Sequence, residues 1–392
     1  MDNLKLWTRN FVSMVAANAL LFGGFHILLP TLPLYAAAHG ASGSQIGIIT
    51  GIFGFSAIFI RFFTDAGQEA FGKKKCLYIG LLISILCTIA YAFFNSVNEM
   101  ITIRLLHGFG FGLTTTFSAA IAAEIIPKAR MGEGIGYFGL GSTLAMALAP
   151  AAGLALMNDF GAMAMFIAAA VASVIAVGST AICKLEAVSA AEKKPKLSLR
   201  DRMLERGTGV PAILTVLFGM SYGSVNTFVS MLAQEAHIAD AGYFFLVGTA
   251  CIFLSRPVGG RIFDAKGPAW IMIPGSALFF IALIMLIHTS SLTMLLMAAV
   301  LYGFGGGLLL PALLTWMINL VSPQRRSGAS ATFYNMLDVG TSAGAIFLGA
   351  MAEKIGFIHM YQYSAGAMAI FAIIFVLYML RSKKSWQEDE AC

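Results

Sequence analysis

The chain has 392 residues, of which 58% are hydrophobic and only 11% charged, with a mean hydropathy of +0.82. A chain this apolar cannot hide its surface from water by folding alone, which excludes a soluble globular protein and makes the bilayer its solvent. The net charge of +6 invites a nucleic-acid surface, but the placement of the basic residues shows the excess to be topological, and no nucleic-acid partner is expected.

Lipid offers the backbone no hydrogen bonds and no stretch alternates with period two, so the spans have to be helices. Apolar windows predict helices over 10–37, 45–65, 75–95, 100–123, 133–157 and 161–183, and then over 209–235, 241–263, 270–289, 292–319, 329–353 and 359–381. The two sets match at one offset of 195 residues: Arg61 with Arg256, Gly72 with Gly267, Gly108-Phe109-Gly110 with Gly303-Phe304-Gly305, and Arg130 with Arg325. A single offset shared by separate segments implies duplication. The fold class is therefore an all-α polytopic membrane protein with twelve transmembrane helices in two homologous six-helix bundles. The first bundle is expected over 1–184, a linker over 185–207, the second bundle over 208–381 and a tail over 382–392.

Lys5, Arg9, Lys73 to Lys75, Lys128, Arg130, the 184–206 segment, Lys266, Arg325, Arg326 and Arg381 to Lys384 fall at alternate ends of successive helices. That side is read as the cytoplasm. The opposite loops hold Glu99, Asp159, Glu235 and Asp240 with Lys354 as their cation, so both termini are expected inside a plasma membrane crossed many times. The linker, rich in charge and carrying Pro195, reads as a solvated connector. Ala36-Ala37-Ala38 resembles a signal cleavage site, but the apolar stretch before it exceeds the roughly 7–15 residues of a signal and is retained as the first helix. The five cysteines are scattered without metal spacing and read as free thiols, with no metal site.

Residues 256–267, RPVGGRIFDAKG, fit R-P-x-x-G-x-x-x-D-x-x-G, and the chain thereby resembles the major facilitator superfamily, whose loop signature this is. The matching 61–75 segment, RFFTDAGQEAFGKKK, keeps Arg61, Gly72 and the basic cluster from Lys73, but carries Asp65 at the first Gly position and Glu69 at the Asp position. Residues 104–110, RLLHGFG, resemble the family's R-x-x-Q-G-x-G with His107 in place of Gln. Pro150 and Gly153 resemble the P-x-x-G core of the exporter signature, with Ala145 and Ala149 where Gly is usual. The order of motifs is most similar to the twelve-helix drug-efflux branch, the drug:proton antiporters.

Glycines let helix ends approach closely, an acid can cap a facing helix and a cation can pair across the contact. The resemblance accordingly implies a cytoplasmic latch: Asp264, Glu69 and Asp65 on the acidic side, Arg61, Arg256 and Lys73 as cations, Gly72, Gly260 and Gly267 as close-approach positions, and Glu124 as a partner for Arg61. The alternative is plain topology, basic loops retained inside without a latch.

Asp338 lies about ten residues, or about 15 Å, into its predicted helix, near the midplane of a roughly 30 Å core. Tyr334, Asp338, Thr341, Ser342 and Ala345 share a polar or narrow stripe, and the repeat mate of Asp338 is Thr143. A carboxylate at that depth is costly and its expected response is a raised pKa, which makes Asp338 a proton-coupling candidate; a permanently paired acid is the alternative. Arg104, about 7 Å from the outer end of its predicted helix, keeps its charge and is either a fixed cation toward a substrate anion or a nearby acid, or a snorkelling side chain. The resemblance makes the first, fourth, seventh and tenth spans line the substrate cavity. Their candidates are Asn18 and His26, His107 and Thr115, Tyr222 and Asn226, and Trp316, with helix contact as the alternative for the histidines and an interface anchor for Trp316.

The glycine clusters follow no strand and precede no Lys-Ser/Thr ending, so ATP hydrolysis is not indicated. The function expected is proton-coupled export of a small organic molecule by alternating access, not an enzyme, with no cofactor and the proton gradient as energy source. Its expected partners are a small-molecule substrate, protons and the lipid bilayer, and it is expected to act as a monomer. Drug-like amphiphiles lead as substrates, with a siderophore or metallophore second. Proton-linked uptake of a small organic anion and a membrane receptor or sensor on the same scaffold are the alternatives.

Overall fold

The computed structural model describes residues 5–127, 130–183, 204–322 and 325–389. The chain divides into two compact units, Met1–Leu197 and Ser198–Cys392. In the first are α1 (Arg9–Ala38), α2 (Gly43–Arg61), the short α3 (Thr64–Phe71), α4 (Lys73–Phe93), α5 (Val97–Ile125), α6 (Met131–Phe160) and α7 (Ala162–Ile182). In the second are α8 (Gly209–Glu235), α9 (Gly242–Lys266), α10 (Ala269–Ile287), α11 (Leu292–Asn319) and α12 (Arg326–Asp389). Among the described residues eleven helices are long and apolar enough to cross a membrane. The last, α12, is broken at Gly356 (φ 83, ψ 162) into two limbs and accounts for two crossings.

Local chemistry starts and stops these helices. The Thr8 hydroxyl accepts from the Phe11 amide at 3.2 Å, and Ser42 and Gln45 form a reciprocal capping box at the head of α2. Gly72 and Gly267, repeat mates, end α3 and α9 in the positive-φ region, and Gly161 and Gly356, also repeat mates, separate the fifth span from the sixth and the eleventh from the twelfth. Only glycine takes that backbone without strain. At the second break Glu235 supplies the missing partner, its carboxylate accepting from the Phe357 amide at 2.6 Å.

Within the first unit α1 packs on α6 and α7, and α5 on α2 and α4; within the second α8 packs on α12, and α11 on α9 and α10. The duplication predicts that contacts repeat, and they do. A Cβ on Gly108 would meet the Phe53 carbonyl and one on Gly112 that of Ala57; Gly303 and Gly307 meet Gly248 and Ile252, the residues 195 further on. Gly110 against Gly80 and Gly305 against Gly275 make a third matched pair. Such small-residue seams bring helices together where lipid supplies no hydrophobic drive. Phe59, Leu82, Ile167, Leu254 and Leu380 are each more than half exposed, as apolar side chains facing acyl chains should be.

The predicted spans agree with the helices to within a few residues, with three differences. The stretch between the second and third spans contains α3, not expected, whose acid Asp65 lies in its first turn. The helix bearing Arg104 begins three residues earlier than expected, so Arg104 lies seven residues in, about 10 Å. The two closing helices of the second half run together across Gly356. Of the expected linker, residues up to 203 lie outside the described residues, as does the end of the tail from 390. Where the chain resumes, the Glu205 amide donates to Thr332 Oγ1 at 2.7 Å and the Glu205 carboxylate pairs with Arg325. In the first half the mate of Arg325, Arg130, pairs with Glu133; the mate of Glu133 is Gly328, where a side chain would collide with Glu205. Glu205 thus takes the place in the second half that Glu133 fills in the first.

Candidate functional site

In the first unit the site is built around Arg104. It is 2% exposed, which rules out snorkelling, and its guanidinium carbon lies 4.1 Å from the Phe53 ring centroid and 5.5 Å from that of Phe25. Phe25, Phe53 and Phe111 form a mutual stack at 4.6–5.1 Å, joined by Phe22, so α1, α2 and α5 together wall the cation with aromatic faces. Cation–π attraction compensates part of the lost hydration. The Tyr91 hydroxyl of α4 lies beside the guanidinium, short of hydrogen-bond geometry, and Cys87 and His107 are within electrostatic reach. The Nε and Nη1 of Arg104, the Nδ1 of His107 and the hydroxyl of Tyr91 are buried without a hydrogen-bond partner.

The other candidates of this unit make contacts within it. Asn18 Nδ2 donates to the Phe138 carbonyl at 3.2 Å, tying α1 to α6. His26 is hydrogen-bonded through Nδ1 to the Phe22 carbonyl at 2.8 Å and stacks on the Phe22 ring, and Thr115 donates to the Phe111 carbonyl at 2.8 Å. Lys73 pairs with Glu124 at the basic end, which joins two members of the expected latch.

In the second unit the structure brings Tyr222 and Asn226 of α8 together with Tyr302 of α11. The two tyrosine rings stack at 5.7 Å, and Asn226 Nδ2 donates to the Tyr302 hydroxyl at 2.9 Å and to the Tyr222 carbonyl at 2.8 Å. Tyr302 was not singled out in the sequence, yet it is the repeat mate of His107, and that correspondence is the signal that finds it. Asp338 is half-buried, and Tyr334, one turn before it, lies within electrostatic reach of both Asp338 and Arg256. Trp316 stands apart, packed edge-on against Phe375 and Tyr378 of α12. The side chain of Asp264 lies outside the described residues.

Asp338 belongs to a close helix crossing of this unit. A Cβ on Gly219 would lie 2.9 Å from the Leu337 carbonyl, one on Gly223 2.8 Å from Thr341 Cα, and one on Gly344 2.7 Å from Met220 Cα. Gly340 and Gly344 are the repeat mates of Ala145 and Ala149, so the glycines that the exporter signature lacks in the fifth span stand in the eleventh, beside the acid.

The major facilitator superfamily model matches residues 14–206 and 211–391, and the chain belongs to that family. It is a polytopic membrane transporter rather than an enzyme, and its substrate is a small molecule. An uncharacterized MFS-type transporter of Methanocaldococcus jannaschii is 23% identical over 381 residues, covering 94% of this chain and 95% of the relative. Multidrug resistance protein MdtG of Escherichia coli is 24% identical over 383 residues, covering 94% and 93%. The crystal structure of the nucleoside transporter NupG superposes with a TM-score of 0.77 at 16% identity, covering 94% of this chain and 99% of that one, a likeness of fold.

Proposed function

We propose that this protein is a proton-coupled exporter of small organic molecules, working by alternating access in the plasma membrane with both termini in the cytoplasm. The observation that carries the reading is the likeness to a multidrug resistance protein along 94% of the chain. Asp338 is the proton site and Arg104 the fixed cation. Their repeat mates are Thr143 and Ala299, so neither charge is part of the duplicated scaffold. The latch at the basic ends, with Arg61, Asp65, Glu69 and the Lys73–Glu124 pair in the first half and Arg256 and Asp264 in the second, holds one side closed while the other opens.

The test is ethidium accumulation in efflux-deficient cells expressing the protein. Export lowers the dye content, and collapse of the proton gradient restores it. Higher dye content in expressing cells, reversed by the same treatment, would mean uptake; no difference for any of a panel of cationic, neutral and anionic dyes would remove the transport-of-amphiphiles reading.

A further inference from the structure

The polar groups beside Arg104 do not balance. Arg104 offers five N–H donors and no acceptor, more than the ring of His107 and the hydroxyl of Tyr91, each able to donate or accept, can receive. All three residues are at least nine-tenths buried and each carries a polar atom with no hydrogen-bond partner. Buried polar groups are otherwise almost always satisfied, and a charge far more so. The rings of Phe25 and Phe53 attract the cation through their π-faces but hold no oxygen or nitrogen to receive its N–H groups.

Among the described residues of this unit no acid supplies the counter-charge. Between residues 5 and 183 every acid, Asp65, Glu69, Glu99, Glu124, Glu133 and Asp159, lies in α3 or within a turn of a helix end. Glu99 shares the helix of Arg104, but its carboxylate accepts from the Ser96 amide at 3.1 Å in the capping turn. Glu124 is held by Lys73 and Glu133 by Arg130. What remains is a cluster with positive charge, surplus donors and an aromatic wall.

We infer that Arg104, His107 and Tyr91 form an anion-recognition subsite in the first unit, which takes a singly charged carboxylate or sulfonate carried on an aromatic body. The anionic oxygens receive the N–H groups of Arg104 and His107 and the hydroxyl of Tyr91, while the ligand ring joins Phe25, Phe53 and Phe111. His107, which stands where the family signature has Gln, supplies a donor one helical turn from Arg104 and belongs to this chain's own pattern. The inference rests on the reading of the chain as a transporter of organic molecules and adds aromatic anions to the classes of molecule it accepts.

The experiment is equilibrium dialysis of the detergent-purified full chain with 2-naphthalenesulfonate and with its uncharged counterpart, 2-naphthalenesulfonamide. Wild type is expected to bind the sulfonate at least tenfold more tightly, and Arg104→Gln to abolish that preference by weakening the sulfonate far more than the sulfonamide. Should Arg104→Gln fail to fold, His107→Ala and Tyr91→Phe are each expected to weaken the sulfonate twofold or more and the sulfonamide by less, so that the preference narrows. Equal binding of the two probes by wild type, including no binding of either at millimolar concentration, overturns the inference, as does a preference that survives Arg104→Gln. Failure here with ethidium export intact sinks the subsite alone; a sulfonate preference without export sinks the direction of transport and leaves the subsite standing.

Discussion

Gly344→Ala probes the crossing that positions Asp338. The added methyl would lie 2.7 Å from Met220 Cα and 2.9 Å from the Met220 carbonyl oxygen, both backbone atoms that no rotamer change can move. Carbon atoms pack at roughly 3.5–4.0 Å, so α8 and α12 have to part by about 1 Å at this point. Overpacking of this kind costs about 1–3 kcal/mol. At ~2–4 °C per kcal/mol for a unit of this size, the unfolding midpoint falls by ~2–12 °C. The control is on the other limb of α12: Gly366 has nothing within 4 Å of its would-be Cβ. There alanine gains about 0.8–1 kcal/mol of helix propensity, and the midpoint rises. Thermal scanning of the detergent-purified protein reads both. A Gly344→Ala midpoint at or above wild type, or equal losses at the two positions, would refute the packing argument.

Three further outcomes follow from single contacts. Glu235→Ala removes the carboxylate that receives the Phe357 amide at the break in α12, and, as the loss of a helix cap, lowers stability by about 0.5–2 kcal/mol in a denaturant series. Tyr302→Phe leaves Asn226 without its side-chain acceptor, costs about 0.5–1.5 kcal/mol in the same assay, and loosens the Tyr222 stack, read as a change in near-ultraviolet circular dichroism. For Lys73 and Glu124, both partly exposed, a double-mutant cycle with Lys73→Ala and Glu124→Ala returns a coupling of about 0.2–1 kcal/mol that shrinks with added salt.

The duplicated scaffold was legible in the sequence because its signals are long-range and redundant. One offset joins Arg61 to Arg256 and Gly108 to Gly303, and the structure returns the same glycine contacts at the same offset. The breaks between successive spans at Gly161 and Gly356 were legible. What stayed hidden depends on helix rotation. With 31 phenylalanines in the chain, nothing in composition separates Phe25 and Phe53, which cover Arg104, from Phe59, which faces outward. Tyr91 was missed for the same reason, being one aromatic residue in an apolar helix until α4 is seen to pack on α5. The short α3 was missed because its eight residues, polar on average, are too few to stand out as a helix on their own. Depth along a helix placed Arg104 correctly inside the span, but only packing decides that it does not snorkel.

The central claim is that proton movement and substrate movement meet at Asp338. Reconstituted into liposomes carrying an internal pH indicator, wild type is expected to move protons against ethidium when the dye is added, and Asp338→Asn to bind ethidium with undiminished affinity while the indicator stays still. Dye-driven proton flux that persists in Asp338→Asn, or is missing from wild type, would contradict it.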